Sequence, residues 1–240
     1  MSTQTYPMKI IARIRTDFPS KFGIPRQSGL VPELRGTIIF EPEYRNPDAL
    51  RGLDGYSHLW LLWQFSQAVR EDWSPMVRPP RLGGNTRMGV FATRSPYRPN
   101  AIGLSSVRLC GIEWDTPQGA VLHVAGADLI DGTPIFDIKP YLPFTDSHPD
   151  AVGGFADERR DYALSVDFPP HLLEKIAPED REPLLAVLAG DPRPSYQDDP
   201  ERIYGMPYAV YDVQFTVADG RLTVCDVLDL DASPDFNAKR

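Results

Sequence analysis

The sequence predicts a mainly β protein, a barrel or a sandwich of short strands followed by a small α+β unit. Three observations carry that expectation. Short apolar, strand-like stretches recur at fairly even spacing through the first part of the chain. Turn residues separate them, with 18 glycines and 25 prolines among 240 residues breaking the chain into pieces. Helical patterning is confined to a region after residue 165, and a hairpin pattern follows it.

Residues 8–15 (MKIIARIR) and 35–41 (RGTIIFE) are the first two strands expected. Residues 57–65 form a nearly continuous apolar run headed by Asp54-Gly55, the pattern of a strand buried on both faces. Residues 88–92 are short and strand-like. Within 106–110, Val107 and Leu109 face one way and Ser106, Arg108 and Cys110 the other; residues 121–125 follow. After Pro169-Pro170, residues 171–176 suit a short helix. Pro178 then opens a second over 179–189, and Gly190 ends it. A polar loop, DPRPSYQDDP, leads to residues 208–217, where Ala209, Tyr211, Val213, Phe215 and Val217 share a face. Asp219-Gly220 supplies the turn and 222–228 the return strand. The expected division is a domain of residues 1–165 and a smaller one of 166–240.

Composition limits the function classes. The formal net charge of −8 argues against a nucleic-acid partner. Its distribution argues the other way. From Met76 to Ala101 there are five arginines (Arg78, Arg81, Arg87, Arg94, Arg98) and neither lysine nor acid. Such a stretch directs an anionic substrate to one place, unless these arginines pair with acids of the same chain. The longest apolar run falls far short of the roughly 20 residues of a membrane span. The first residues show no basic segment leading into an apolar core, so a cytoplasmic protein is expected. Cys110 and Cys225 lack metal or redox spacing and read as buried structural thiols. No histidine pair has ligand spacing.

Three segments are candidates for chemistry. Residues 22–30 (FGIPRQSGL) form a loop able to carry binding groups. Residues 78–104 set arginine forks among rigid Gly and Pro turns, which suits planar anions; the segment is neither a Walker loop nor a G-x-G-x-x-G turn. Residues 127–144 carry Asp128, Asp131, Asp137 and Lys139 around Gly132 and Pro134. That cluster reads as acid/base groups, as a metal site, or as an Asx-rich turn between strands.

These segments resemble blocks of the TsaA/TrmO family of tRNA (adenine-37-N6)-methyltransferases. The matching strings are PRQ (25–27), RGLDGYSHLW (51–60), RPPRLGGNTRMGVFATRSPYRPNAIGLS (78–105), DLIDGTPIFDIKPYLPF (128–144) and DPRPSY (191–196). They cover essentially the whole chain in family order. The resemblance implies a small, non-Rossmann β-barrel with a C-terminal tRNA-recognition domain, forming homodimers with the cofactor site near the interface. It implies S-adenosylmethionine as cofactor, no metal, and N6-methylation of threonylcarbamoyladenosine in the anticodon loop of threonine tRNA. Carried over by position, the cofactor-binding residues are Pro25, Arg26, Gln27, Ser66, Gln67, Arg94, Leu104, Ile130, Asp131, Gly132 and Thr133. Many family members have a histidine where this chain has Ser66.

On this reading Arg26 or Arg94 clasps the cofactor carboxylate, and backbone around Asp131-Gly132-Thr133 meets the adenine edge. Asp128, Asp131 and Tyr97 are the candidate general bases. Arg78, Arg81, Arg87 and Arg98 are expected to contact tRNA, together with Arg193 and Tyr196 of the C-terminal loop. The competing readings are a non-catalytic S-adenosylmethionine sensor, a methyltransferase acting on a different RNA, and a metal-dependent hydrolase built on Asp128, Asp131 and Asp137.

Overall fold

The computed structural model describes residues 4–67, 72–79, 86–159, 162–193 and 199–230. In chain order its first strands are β1 (Ala12–Thr16), β2 (Arg35–Phe40), β3 (His58–Gln64), β4 (Met76–Val77), β5 (Met88–Gly89), β6 (Ile102–Glu113), β7 (Val121–Ala125) and β8 (Pro134–Pro140). Six of them close an antiparallel barrel in the order β1-β2-β7-β6-β3-β8, with β8 returning to β1; β4 and β5 pair as a separate ribbon. Alternation fills the barrel: Ala12, Ile14, Ile38, Leu59, Leu61, Val107, Leu122 and Ile135 point inward with almost no exposure. Each such side chain contributes about 1.5–3 kcal/mol on burial.

A second core follows. The helix α1 (Pro143–Asp146) leads away from the barrel. After it come β9 (Ser165–Asp167), α2 (Pro170–Leu173), α3 (Pro178–Ala189), β10 (Tyr204–Tyr208), β11 (Tyr211–Ala218) and β12 (Arg221–Asp229). The sheet order is β10-β11-β12-β9, with β9 parallel to β12. Pro178 opens α3, and Leu184, Val187 and Leu188 bury its face against the sheet. Asp219 and Gly220 both take positive φ, as a two-residue hairpin turn of this hand requires.

Several expectations need correction. β3 is not buried on both faces: Leu59, Leu61 and Trp63 point into the barrel, while Trp60 is partly covered by Tyr141 and bonded to Asp146 (2.8 Å). Only Met88–Gly89 of the 88–92 stretch is strand; Val90–Ala92 is a 3-10 turn. β6 runs far beyond 106–110, bent by a bulge between Leu109 and Gly111. The block 127–144 contains β8, which closes the barrel between β1 and β3. The hairpin gains an unexpected strand, β10, and Ala209 lies in the turn between β10 and β11 with φ of 49°. Both cysteines are exposed and free rather than buried.

The connection spanning residues 17–34 joins the two cores. Phe18, Val31 and Leu34 belong to the second core although their neighbours in sequence are barrel strands. Gly23 has φ of 89°, and a Cβ there would lie 2.4 Å from Sδ of fully buried Met206. Gly29 also has positive φ, but a Cβ would meet nothing within 4 Å. Both Gly→Ala changes therefore incur the left-handed backbone cost, roughly 1–2 kcal/mol, and only Gly23→Ala adds overpacking, about 1–3 kcal/mol. Urea unfolding is expected to rank Gly23→Ala clearly below Gly29→Ala; equal losses would show that Met206 yields freely.

Candidate functional site

A cavity of about 520 Å³ opens where this connection, the end of β3, the turn after β5, the start of β6 and the turn before β8 converge. Nine of the residues expected to bind cofactor line it: Pro25, Arg26, Gln27, Ser66, Gln67, Arg94, Leu104, Ile130 and Thr133. They come from five separate stretches of sequence, so the fold gathers them.

Gln27 and Arg94 meet across the opening, with the guanidinium donating to the amide oxygen. The Gln27 amide nitrogen in turn donates to the Arg26 carbonyl. One wall is aromatic. Trp63 and Phe65 have ring centroids 4.3 Å apart. Gly103 sits opposite Trp63 in the β3–β6 ladder, and a Cβ there would lie 2.2 Å from indole Cε2. The absent side chain is what lets the indole lie flat against β6.

Behind that wall runs a polar chain. Trp63 Nε1 donates to Ser105 Oγ at 2.9 Å, and Ser105 Oγ donates to Asp128 Oδ1 at 2.5 Å. Ser105 is fully buried, so both bonds are needed to satisfy its hydroxyl. Burial pushes the Asp128 carboxyl above the usual carboxylate range, outweighing the opposing pull of the Ser105 hydrogen bond and of the Arg94 charge.

The other candidate bases lie elsewhere. Asp131 accepts from Arg15 Nη1 (3.0 Å) and from the Thr16 amide (3.1 Å), facing β1. Gly132, at φ of 75°, donates from its amide to Ile14. Neither residue lines the cavity, although their neighbours Ile130 and Thr133 do. Tyr97 is half-buried and also off the lining. Asp137 pairs with Lys139 (2.9 Å). The three aspartates of the supposed metal site are thus held by three different partners, and among the described residues no group of His, Cys, Asp and Glu gathers as a metal site.

The arginines divide. Arg98 lines the cavity and donates to the Thr93 carbonyl (2.7 Å). Arg78 and Arg87 are exposed, and among the described residues no acid forms an ion pair with either, or with Arg94 or Arg98. Ion pairing among the described residues does not account for these four. Arg193 differs: its guanidinium closes on Asp191 (2.9 and 3.1 Å) with both side chains largely buried. Arg81 and Tyr196 lie outside the described residues. Sequence reasoning missed Lys21, Ile24, Trp63, Gln64, Phe65, Thr93, Pro96, Ile102 and Gly103 of the lining. The aromatic pair was hidden because it ends a run that reads as core.

The comparisons with known proteins agree with this architecture. Residues 13–147 match the model of the tRNA-methyltransferase O N-terminal domain, and residues 161–230 match that of the TrmO C-terminal domain. The chain is 43% identical over 219 residues to the tRNA (adenine(37)-N6)-methyltransferase of Escherichia coli (strain K12), covering 89% of this chain and 92% of that protein. It is 42% identical over 219 residues to a Pseudomonas aeruginosa protein named as a putative S-adenosylmethionine-dependent methyltransferase RcsF, covering 88% and 92%. A crystal structure of TrmO from Pseudomonas aeruginosa aligns with a TM-score of 0.74 at 36% identity, over 94% of this chain and all of that one.

Asp128 gives a pH-dependent prediction. Because burial favours its neutral form, its contribution to stability is complete below the ordinary carboxylate range and is lost as pH rises through the elevated folded-state value. Asp128→Asn is therefore expected to melt at or above the wild-type temperature at about pH 7.5, with the gap narrowing toward about pH 4. A variant equally less stable at both pH values would contradict the buried-carboxylate account.

Proposed function

The chain belongs to the tRNA-methyltransferase O family, and from that premise we propose that it is an S-adenosylmethionine-dependent methyltransferase acting on N6 of adenine 37 of tRNA. The observation that carries the proposal is the single cavity on which nine family-expected residues converge. Its volume, about 520 Å³, lies within the range of ordinary small-molecule sites, roughly 300–1,000 Å³. Its chemistry also fits the cofactor: arginine forks for a carboxylate, an aromatic and apolar wall for adenine, and a carboxylate to face positive charge.

When bound, the cofactor supplies a methyl group on sulfonium sulfur: the S–C bond breaks as the N–C bond forms, its electron pair stays on sulfur, and N6 releases a proton. Arg94, steadied by Gln27, and Arg26 would hold the carboxylate end. The aromatic wall would exclude water. Of the three candidate bases, only Asp128 faces the cavity, and its raised affinity for a proton suits it to accept the one that N6 loses. Much of the acceleration in such an in-line displacement comes from orientation.

The finer reading is that the substrate is threonylcarbamoyladenosine of threonine tRNA. What supports it is Arg98, a second cation at the same cavity beyond those assigned to the cofactor, placed for the carboxylate of the threonyl group. Residues 166–240 would grip the anticodon stem-loop, with the Arg193–Asp191 pair fixing residues 191–193. A homodimer acting in the cytoplasm completes the proposal; among the described residues no helix is long and apolar enough to cross a membrane.

Two measurements test this. Labelled methyl transfer from S-adenosylmethionine to threonine tRNA, with and without its threonylcarbamoyl group, is expected to give N6-methylation of the premodified adenine alone. Transfer to neither RNA with cofactor binding intact would favour a cofactor sensor or a different RNA. Arg94→Ala is expected to weaken cofactor binding about tenfold or more, the loss of a charged hydrogen bond; unchanged affinity by calorimetry would remove Arg94 from that role.

A further inference from the structure

Resting on the reading that this site methylates RNA, we propose that Phe91 and Trp73 form a stacking platform for the nucleobase next to the target adenine. Phe91 is 71% exposed and Trp73 47% exposed, large costs for side chains with no role in a core. Their rings lie nearly parallel, 23° apart with centroids separated by 6.0 Å. The guanidinium carbon of Arg98 sits 5.9 Å from the Phe91 centroid. Arg98 also lines the cofactor cavity, so one side chain touches both the cavity and the platform.

The rings are held by a frame. The Ser74 amide donates to the Tyr97 carbonyl (3.0 Å) and the Val90 amide to the Pro75 carbonyl (3.0 Å), tying the two ring-bearing segments together. Buried Val77 and Val90 anchor the ribbon of β4 and β5 below them. Aromatic faces presented rigidly beside a guanidinium are the chemistry that unpaired nucleotides select: rings stack on bases while guanidinium groups meet phosphates. Arg98 supplies that cation beside Phe91, and exposed Arg78 and Arg87 flank the far end of the ribbon, next to the Val77–Met88 pair. A base that leaves its stack to enter a cavity strips a neighbour of its stacking partner. Phe91 supplies a replacement face next to the point of entry. A second copy of this chain is the poorer occupant, because a two-fold contact here would set arginines against arginines.

The test compares wild type with Phe91→Ala, Phe91→Tyr and Arg87→Ala, measuring affinity for fluorescein-labelled threonine tRNA by anisotropy across a salt series and for S-adenosylmethionine by calorimetry. Phe91→Ala is expected to weaken RNA binding about 5- to 100-fold, with cofactor affinity and salt slope unchanged. Phe91→Tyr is expected to retain near wild-type RNA affinity. Arg87→Ala is expected to reduce the salt slope by about one. An abasic nucleotide beside the target should cost wild type the same factor and cost Phe91→Ala nothing further. RNA affinity unaltered by Phe91→Ala overturns the platform alone, as does a fall in assembly mass by light scattering in place of a fall in RNA affinity. Wild-type protein that binds no tRNA overturns the functional reading along with it.

Discussion

The cavity depends on how the connection over residues 17–34 is gripped from two sides. Barrel backbone holds one side, through the Asp131 amide to Phe18 (2.8 Å) and the Gly29 amide to Gly126 (2.9 Å). The second core holds the other. Phe18 meets Tyr208 edge-on at 5.5 Å, and the Ala209 amide, in an unusual left-handed turn, donates to the Asp17 carbonyl at 2.7 Å. Ordering a free loop costs about 1–2 kcal/mol per residue. Here that cost is met on folding, so Arg26 and Gln27 stand opposite Arg94 before any ligand arrives. The C-terminal unit is thus part of what builds the site, whatever it also contacts.

A second constraint is the buried polar chain from Trp63 through Ser105 to Asp128. Each donor in it has one acceptor at good distance, so the hydroxyl rotor of Ser105 is fixed by its two neighbours. The carboxylate at its end is nevertheless poorly solvated, and the charge of Arg94 only partly offsets this. A protein optimised for stability alone would not keep an acid there. The arrangement makes sense where a proton must be taken up, or positive charge faced, inside a cavity partly shut from water.

Much of this was legible in the sequence, and the failures have physical reasons. β1, β2, β7, α3 and the Asp219-Gly220 turn declare themselves through local alternation, a proline start and turn chemistry. β8 does not: Pro134 and Pro140 bracket it and Asp137 and Lys139 interrupt it, while its partners β1 and β3 lie far away in sequence. The outer face of β3 misleads because Trp60 is apolar yet finds its cover in Tyr141 and Asp146, beyond any local window. At the site, loops rich in Gly and Pro pointed to the right segments. Three-residue spacing could not say which of Asp128 and Asp131 faces the cavity. The ladder to β1 decides that, turning Asp131 toward Arg15.

Net charge illustrates the same limit in electrostatics. At −8 the chain ought to repel RNA, yet charge acts over a Debye length of about 8 Å at physiological salt, not over a whole molecule. What matters locally is which charges are already answered. Lys9, Arg13, Arg15 and Lys175 are each met by a carboxylate within 3.3 Å. Arg78, Arg87 and Arg98 have no such partner among the described residues; Arg98 stands at the cavity and beside Phe91, and Arg78 and Arg87 flank the β4–β5 ribbon that carries these rings. Acidic surface elsewhere then sharpens the preference, since a polyanion repelled from most of the molecule is left with one approach.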